Sequence, residues 1–106
     1  MIYLANAFSG QMVPDFCVIS KKQVTRERVR QLIMWEWESC IKDKDMMTVL
    51  SKVLDAYGQR NRESISMTED DILIVAELQG GRLPEGATTL PEDCQLVFHT
   101  YHVLTI

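Results

Sequence analysis

Apolar residues fall along the chain in short blocks of two different periods, and these blocks predict the elements. Ile2–Phe8 is a mostly apolar run closed by Ser9-Gly10, which suits a buried strand entering a turn. Pro14-Asp15 punctuates the next turn, and Phe16–Ser20, rich in β-branched and aromatic residues, predicts a second strand. From Thr25 the period changes. Val29, Leu32, Ile33 and Trp35 follow at mixed helical spacings behind a Thr25 cap, which predicts an amphipathic helix with no clear end. Met34–Cys40 alternates Trp35 and Trp37 with Glu36 and Glu38, and reads either as a short strand or as a partner-facing surface. The clearest helix covers residues 44–57, with Met46, Met47, Val49, Leu50, Val53, Leu54 and Tyr57 on one broad face. Asp43 or Asp45 is its expected N-cap and Gly58 its expected C-cap. Beyond it, Arg62–Met67 predicts a strand, Ile72–Leu78 a central strand buried on both faces, and Gln95–Ile106 a long final strand. Gly80-Gly81 ends the central strand. Arg82-Leu83-Pro84-Glu85-Gly86 then makes a tight loop, because Pro84 fixes its φ and Gly86 admits a conformation closed to other residues.

Strands interleaved with helices, without a regular β-α-β repeat, predict an α+β fold. We expect a single domain over residues 1–106, with a mixed, mostly antiparallel sheet of about five strands flanked by two main helices. At 106 residues the chain is long enough for one core. A domain of this size buries only about two thirds of its unfolded surface. A subunit interface would add stability, so a homodimer or higher homo-oligomer is expected. Apolar residues at 46% and charged residues at 25% exclude disordered and fibrous classes. The net charge of -4 argues against a DNA binder, whose affinity rests on many cationic contacts to phosphate, but leaves room for a small anion held by a few local cations. Cys17, Cys40 and Cys94 are odd in number and widely spaced, which predicts free thiols in a reducing compartment. With no membrane-length apolar run and no basic-then-apolar leader, the expectation is a cytoplasmic protein with no membrane partner.

Chemistry concentrates in a few positions. Arg60, Arg62 and Arg82 lie at element ends and are candidate anion contacts, since a guanidinium grips phosphate with a bidentate fork. The same residues also read as surface partners of Glu63, Glu77 or Glu85. Asn6 sits in an otherwise apolar run, so its amide needs a hydrogen-bond partner, supplied by a ligand or by a neighbouring turn. His99 and His102 fall on opposite faces of the final strand. Without metal-ligand spacing or a nucleotide-cofactor fingerprint, neither a metal nor a cofactor is expected.

Ile2-Tyr3-Leu4-Ala5-Asn6-Ala7-Phe8-Ser9 resembles the opening motif of the archaeal-virus and phage family that includes the type III anti-CRISPR ring nuclease. Further blocks follow in that family's order: Leu50-Ser51-Lys52-Val53-Leu54, the pair Asn61-Arg62, and Ile74-Val75-Ala76-Glu77-Leu78 leading to Arg82–Gly86. Lys21–Cys40 carries little resemblance. The resemblance implies a subunit of a dimer or larger assembly that binds a cyclic nucleotide across its interface. Asn6, Ser9, Gln11, Asn61, Arg62, Arg82, Glu85 and Gly86 would be the ligand-binding residues.

One departure changes the expected activity. Where the ring nucleases open their long helix with a block whose histidine is the general acid, this chain has Lys42-Asp43-Lys44, with Asp43 at the histidine's place. An imidazole near pKa ~6.5 donates a proton at neutral pH, whereas an ordinary aspartic side chain near ~3.9 is already ionised. No catalytic residue is therefore assigned. The pattern resembles the sponge-like branch, phage proteins that counter Thoeris and CBASS-type defences by sequestering cyclic ADP-ribose isomers or cyclic oligonucleotides. The alternatives are a ring nuclease acting on cyclic tetra-adenylate through Lys44 or a displaced histidine, and a protein-binding subunit anchored by Trp35 and Trp37.

Overall fold

The computed structural model describes residues 1–61 and 63–106. Its sheet consists of β1 (Ile2–Ala5), β2 (Cys17–Val24), β3 (Glu38–Ser39), β4 (Ile72–Gln79) and β5 (Gln95–Thr105), in the order β2-β5-β4-β1-β3. Two helices, α1 (Arg26–Leu32) and α2 (Lys44–Leu54), complete the α+β fold. The sheet is mixed. β1 runs parallel to both β3 and β4, while β5 is antiparallel to β4 and to β2, and the antiparallel ladders carry most of the paired residues.

Period-two alternation gives the sheet two differently covered faces. Leu4, Ile74, Ala76 and Phe98 point to one face and pack against Val29 of α1 and Met46, Met47, Leu50 and Leu54 of α2. Ala5, Leu73, Val75, Tyr101 and Val103 point to the other, where Phe8, Met12, Val13, Ile65 and Met67 cover them from irregular segments. β4 is central, and Leu73, Ile74, Val75 and Ala76 are buried on both faces, as its unbroken apolar run predicts.

Several boundaries differ from the sequence expectation, each for a physical reason. β1 stops at Ala5 because Phe8 folds back over the sheet and stacks on Tyr101, with centroids 4.7 Å apart and rings 2° from parallel. β2 continues through Lys21, Lys22 and Gln23, since all eight of its residues pair with β5. Its polar side chains are exposed, so alternation does not announce the extension. α2 ends at Leu54 rather than Tyr57. Asp55 takes the left-handed cap conformation, with φ 51°, and its N–H bonds back to the last turn. Tyr57 is 99% exposed and lies off the helix. Gly58 has a different role from the cap expected of it: a Cβ there would stand 2.5 Å from the Trp37 ring and 3.1 Å from the Met47 methyl. The described part of the expected strand at 62–67 is irregular. Ile65 and Met67 cover the second face instead of joining the sheet, where β1 already has a neighbour on each side, and Met67 N–H donates to Met12 C=O at 2.7 Å.

Candidate functional site

The parallel strands β1, β3 and β4 all deliver their C-terminal ends to one rim of the sheet, and register places those ends side by side. Tyr3 and Leu4 pair with Glu38 and Ser39 on one flank, and Ile2–Ala5 pairs with Ile72–Val75 on the other. Three connections therefore leave the same rim: Asn6 and the turn after β1, the Cys40–Asp43 entry into α2, and the 80–86 loop after β4. Crevices beyond the carboxyl ends of adjacent parallel strands are where such sheets present ligand-binding loops.

Asn6 is the first residue past β1, half-buried in a bend. This corrects the expectation of an amide trapped inside a strand: among the described residues no buried side-chain nitrogen or oxygen lacks a partner, so Asn6 carries no desolvation penalty. Ser9 caps a short 3₁₀ turn at Gly10–Met12, its Oγ accepting from Gln11 N–H at 3.3 Å. Ser9 and Gln11 line a small cavity of about 80 Å³ together with Lys42, Cys40 and Glu63. Thus Ser9, the last residue of the N-terminal motif, and Gln11 just after it face the α2 entry. The Cys40 thiol in this cavity is pushed up to about 11, by burial first and the nearby Glu38 carboxylate second, which keeps it protonated and poorly nucleophilic at neutral pH.

The 82–86 loop reaches the same helix end. Gly86 takes a positive φ of 75° and its N–H donates to Asp45 Oδ2 at 2.9 Å, while Ala87 N–H donates to Pro84 C=O at 3.0 Å and closes the turn. Arg82 and Glu85 are exposed on this loop. The three ion pairs among the described residues join Met1 to Asp71, Arg26 to Glu27 and Arg30 to Asp55, so neither Arg60 nor Arg82 is held by a neighbouring carboxylate. Asn61 does not line the small cavity but is bonded to segments that do, and it lies beside Glu38 and Ser39 of β3. Its N–H donates to Ile41 C=O at 2.8 Å and its Oδ1 accepts from Glu63 N–H at 2.9 Å. Arg62 lies outside the described residues.

Asp43 occupies the N-cap of α2, its carboxylate accepting from Asp45 N–H at 3.1 Å. That position satisfies an otherwise orphaned helix donor and favours negative charge. A carboxylate employed there as an acceptor is poorly suited to delivering a proton. Both histidines lie on β5 rather than on α2. His99 pairs across the ladder with Val75 and Gln23, half-buried on the face opposite the helices, and His102, three residues further along, is exposed opposite Ser20. Among the described residues no group of three His, Cys, Asp or Glu side chains is arranged to hold a metal ion, and no helix is long and apolar enough to cross a membrane.

Two contributors to the rim, Lys42 and Asp45, were not selected as ligand-binding residues from the sequence. Asp45 carried a signal as a possible cap, but its tie to Gly86 spans 41 residues and has no local signature.

Comparison with known proteins agrees with this architecture. The fold is similar to that of B116 of Sulfolobus turreted icosahedral virus (STIV), with a TM-score of 0.78, 20% sequence identity, and coverage of 95% of this chain and 97% of that chain. No curated protein matches the sequence. The sequence profile of the STIV B116-like family matches residues 2–100, a span that includes every rim segment described above, and the chain belongs to that family.

Proposed function

We propose that this protein is a viral or phage anti-defence protein that binds and sequesters a cyclic nucleotide immune signal, a cyclic oligonucleotide or a cyclic ADP-ribose isomer, without cleaving it. The observation that carries the reading is the convergence on one rim of the N-terminal motif, the α2 entry and the 82–86 loop, with a helix cap at Asp43 where a ring nuclease needs its acid. The anion contacts are Arg82 and Arg62, with Lys42 beside Ser9 and Gln11. Asn6, Asn61, Glu85 and the backbone at Gly86 supply directional hydrogen bonds to base or ribose. The ligand lies between subunits of a homodimer or higher homo-oligomer in the host cytoplasm. Capture requires slow release and no proton donor, which fits this set of side chains.

A direct test is to incubate the protein with cyclic tetra-adenylate, cyclic trinucleotides and glycocyclic ADP-ribose, remove free ligand, heat the protein and identify what is released by mass spectrometry. Intact ligand in stoichiometric amount is expected. Cleaved product formed over many turnovers would overturn sequestration. Arg82→Ala should weaken capture by roughly 10- to 100-fold, the equivalent of one charge-assisted phosphate contact. A second reading, a protein-binding subunit, draws on Trp35, which is 87% exposed. It would be favoured if no ligand were captured while Trp35→Ala abolished binding to a host protein.

A further inference from the structure

A second, larger cavity lies on the flank of α2 and shares no lining residue with the rim cavity of Ser9, Gln11 and Lys42. It encloses about 820 Å³ between α2 and the segment that returns past Gly58, a volume in the range of small-molecule sites. Three cations surround it. Lys44 and Lys52 stand two helical turns apart on α2, about 12 Å along the axis, and Arg60 faces them from the returning segment. The one carboxylate in the lining, Asp55, is turned toward Arg30, at 3.8 Å. The cavity therefore carries a net positive charge, although the chain as a whole is acidic.

Its remaining walls set what kind of anion would fit. Thr48 Oγ1 and Ser51 Oγ already donate to the helix carbonyls of Lys44 and Met47, at 3.0 and 2.8 Å, so phosphate contacts fall to the three cations. Spaced cations suit a chain of phosphates better than a single one. Tyr57 stands at the mouth with its ring 99% exposed and unstacked, while Gly58 keeps the floor low against Trp37 and Met47. An exposed aromatic face beside a cationic groove is the chemistry that holds a nucleobase next to its phosphates.

We infer that this flank of α2 is a separate binding site for a nucleoside polyphosphate, with Lys44, Lys52 and Arg60 on the phosphates and Tyr57 stacked on the base. Its lining is distinct from that of the rim cavity. It is tested by titrating the full chain with ATP and with inorganic tripolyphosphate at low ionic strength, using calorimetry. ATP is expected to bind the wild type, and Lys52→Glu and Arg60→Ala are each expected to weaken it at least tenfold with unchanged thermal midpoints. Tyr57→Ala should weaken ATP and leave tripolyphosphate unaffected. Asn6→Ala and Arg82→Ala should leave ATP binding intact, and excess cyclic tetra-adenylate should not displace it. Absence of ATP binding, or ATP binding indifferent to Lys52 and Arg60, overturns the site without touching the rim reading. Equal affinity for ATP and tripolyphosphate, insensitive to Tyr57→Ala, overturns its nucleoside specificity. Loss of ATP binding in the rim variants, or its displacement by the cyclic ligand, overturns its separateness.

Discussion

The parallel half of the sheet and its antiparallel wing differ in almost every property that bears on function. In the parallel half, β1 and β4 are buried under α2 on one face and under irregular segments on the other, and three connections bring polar residues to one rim. In the wing, β2 is an edge strand that pairs only with β5, and Val18 and Leu104, opposite each other in register, remain 52% and 60% exposed. The molecule is elongated accordingly, 42 Å in its longest direction against 24 and 23 Å. Burial and site geometry thus belong to the same half. Residues fixed by packing on several sides can hold loops in one arrangement, whereas a two-stranded wing cannot.

Substitutions test that contrast, most strongly in the core. Leu50 is fully buried in α2 against the sheet, and Leu50→Ala should destabilise the fold by about 2–5 kcal/mol through lost burial and a residual cavity. Val18→Thr and Leu104→Thr in the wing should each change stability by less than about 0.5 kcal/mol, since little apolar surface is withdrawn from water there. Urea unfolding of the three variants measures the difference, and comparable losses in both halves would break the comparison.

A smaller effect is expected at the start of β4. Asp71 is buried; burial raises its carboxyl pKa, but the hydrogen bonds from Thr68 N–H at 2.8 Å and from the N-terminal ammonium at 3.2 Å outweigh this and hold it below the ordinary carboxylate value. A lowered folded pKa stabilises the protein above the unfolded value, about 3.9, and that stabilisation is lost as pH falls through the folded one. Asp71→Asn should therefore remove about 1–3 kcal/mol near neutrality and flatten the decline in stability below about pH 4. Unfolding curves across pH 2.5–7 would reveal whether the decline persists in the variant, which would assign it to other carboxylates.

The smallest change has the opposite sign and lies in the wing. Phe16 has φ 56°, a left-handed conformation that opposes a bulky side chain, and its ring is 84% exposed, so packing returns little. Phe16→Gly should raise stability by about 0.5–1 kcal/mol, the relieved backbone strain less the added freedom of glycine in the unfolded chain. A rise of a few degrees in the thermal midpoint is the expected reading. A fall would mean that Phe16 is covered in solution.

Legibility in the sequence followed burial. β4 was readable because an unbroken apolar run such as Ile72–Leu78 has few solutions other than a strand covered on both faces, and α2 because its apolar positions repeat at the helical period. The eight-residue extent of β2 was not readable: Lys21, Lys22 and Gln23 pair along an edge whose two faces are both open, so their polarity carries no alternation. Ile65 and Met67 misled for the converse reason, because an irregular segment packed over a sheet face can alternate like a strand. Of the candidate site, Asn6, Ser9, Gln11 and the Arg82–Gly86 loop were legible from motif and turn chemistry. Lys42 and Asp45, like the pocket formed by Lys44, Lys52 and Arg60, were not, since each acquires its meaning from partners distant in the chain.

What the sequence determined by itself was local: the strands at Ile72–Leu78 and Gln95–Ile106 and the helix behind Asp43 or Asp45, why Gly86 must stand in its turn, and the identity of the side chains available for an anion. Tertiary structure alone decided that β1, β3 and β4 run parallel and so open their loops at a common rim, that Asp45 ties Gly86 to the start of α2, and that Gly58 leaves room for Trp37. Propensity and periodicity act over a few residues. The direction and neighbours of a strand depend on contacts closed across the whole chain, whose stabilisation no single segment contains.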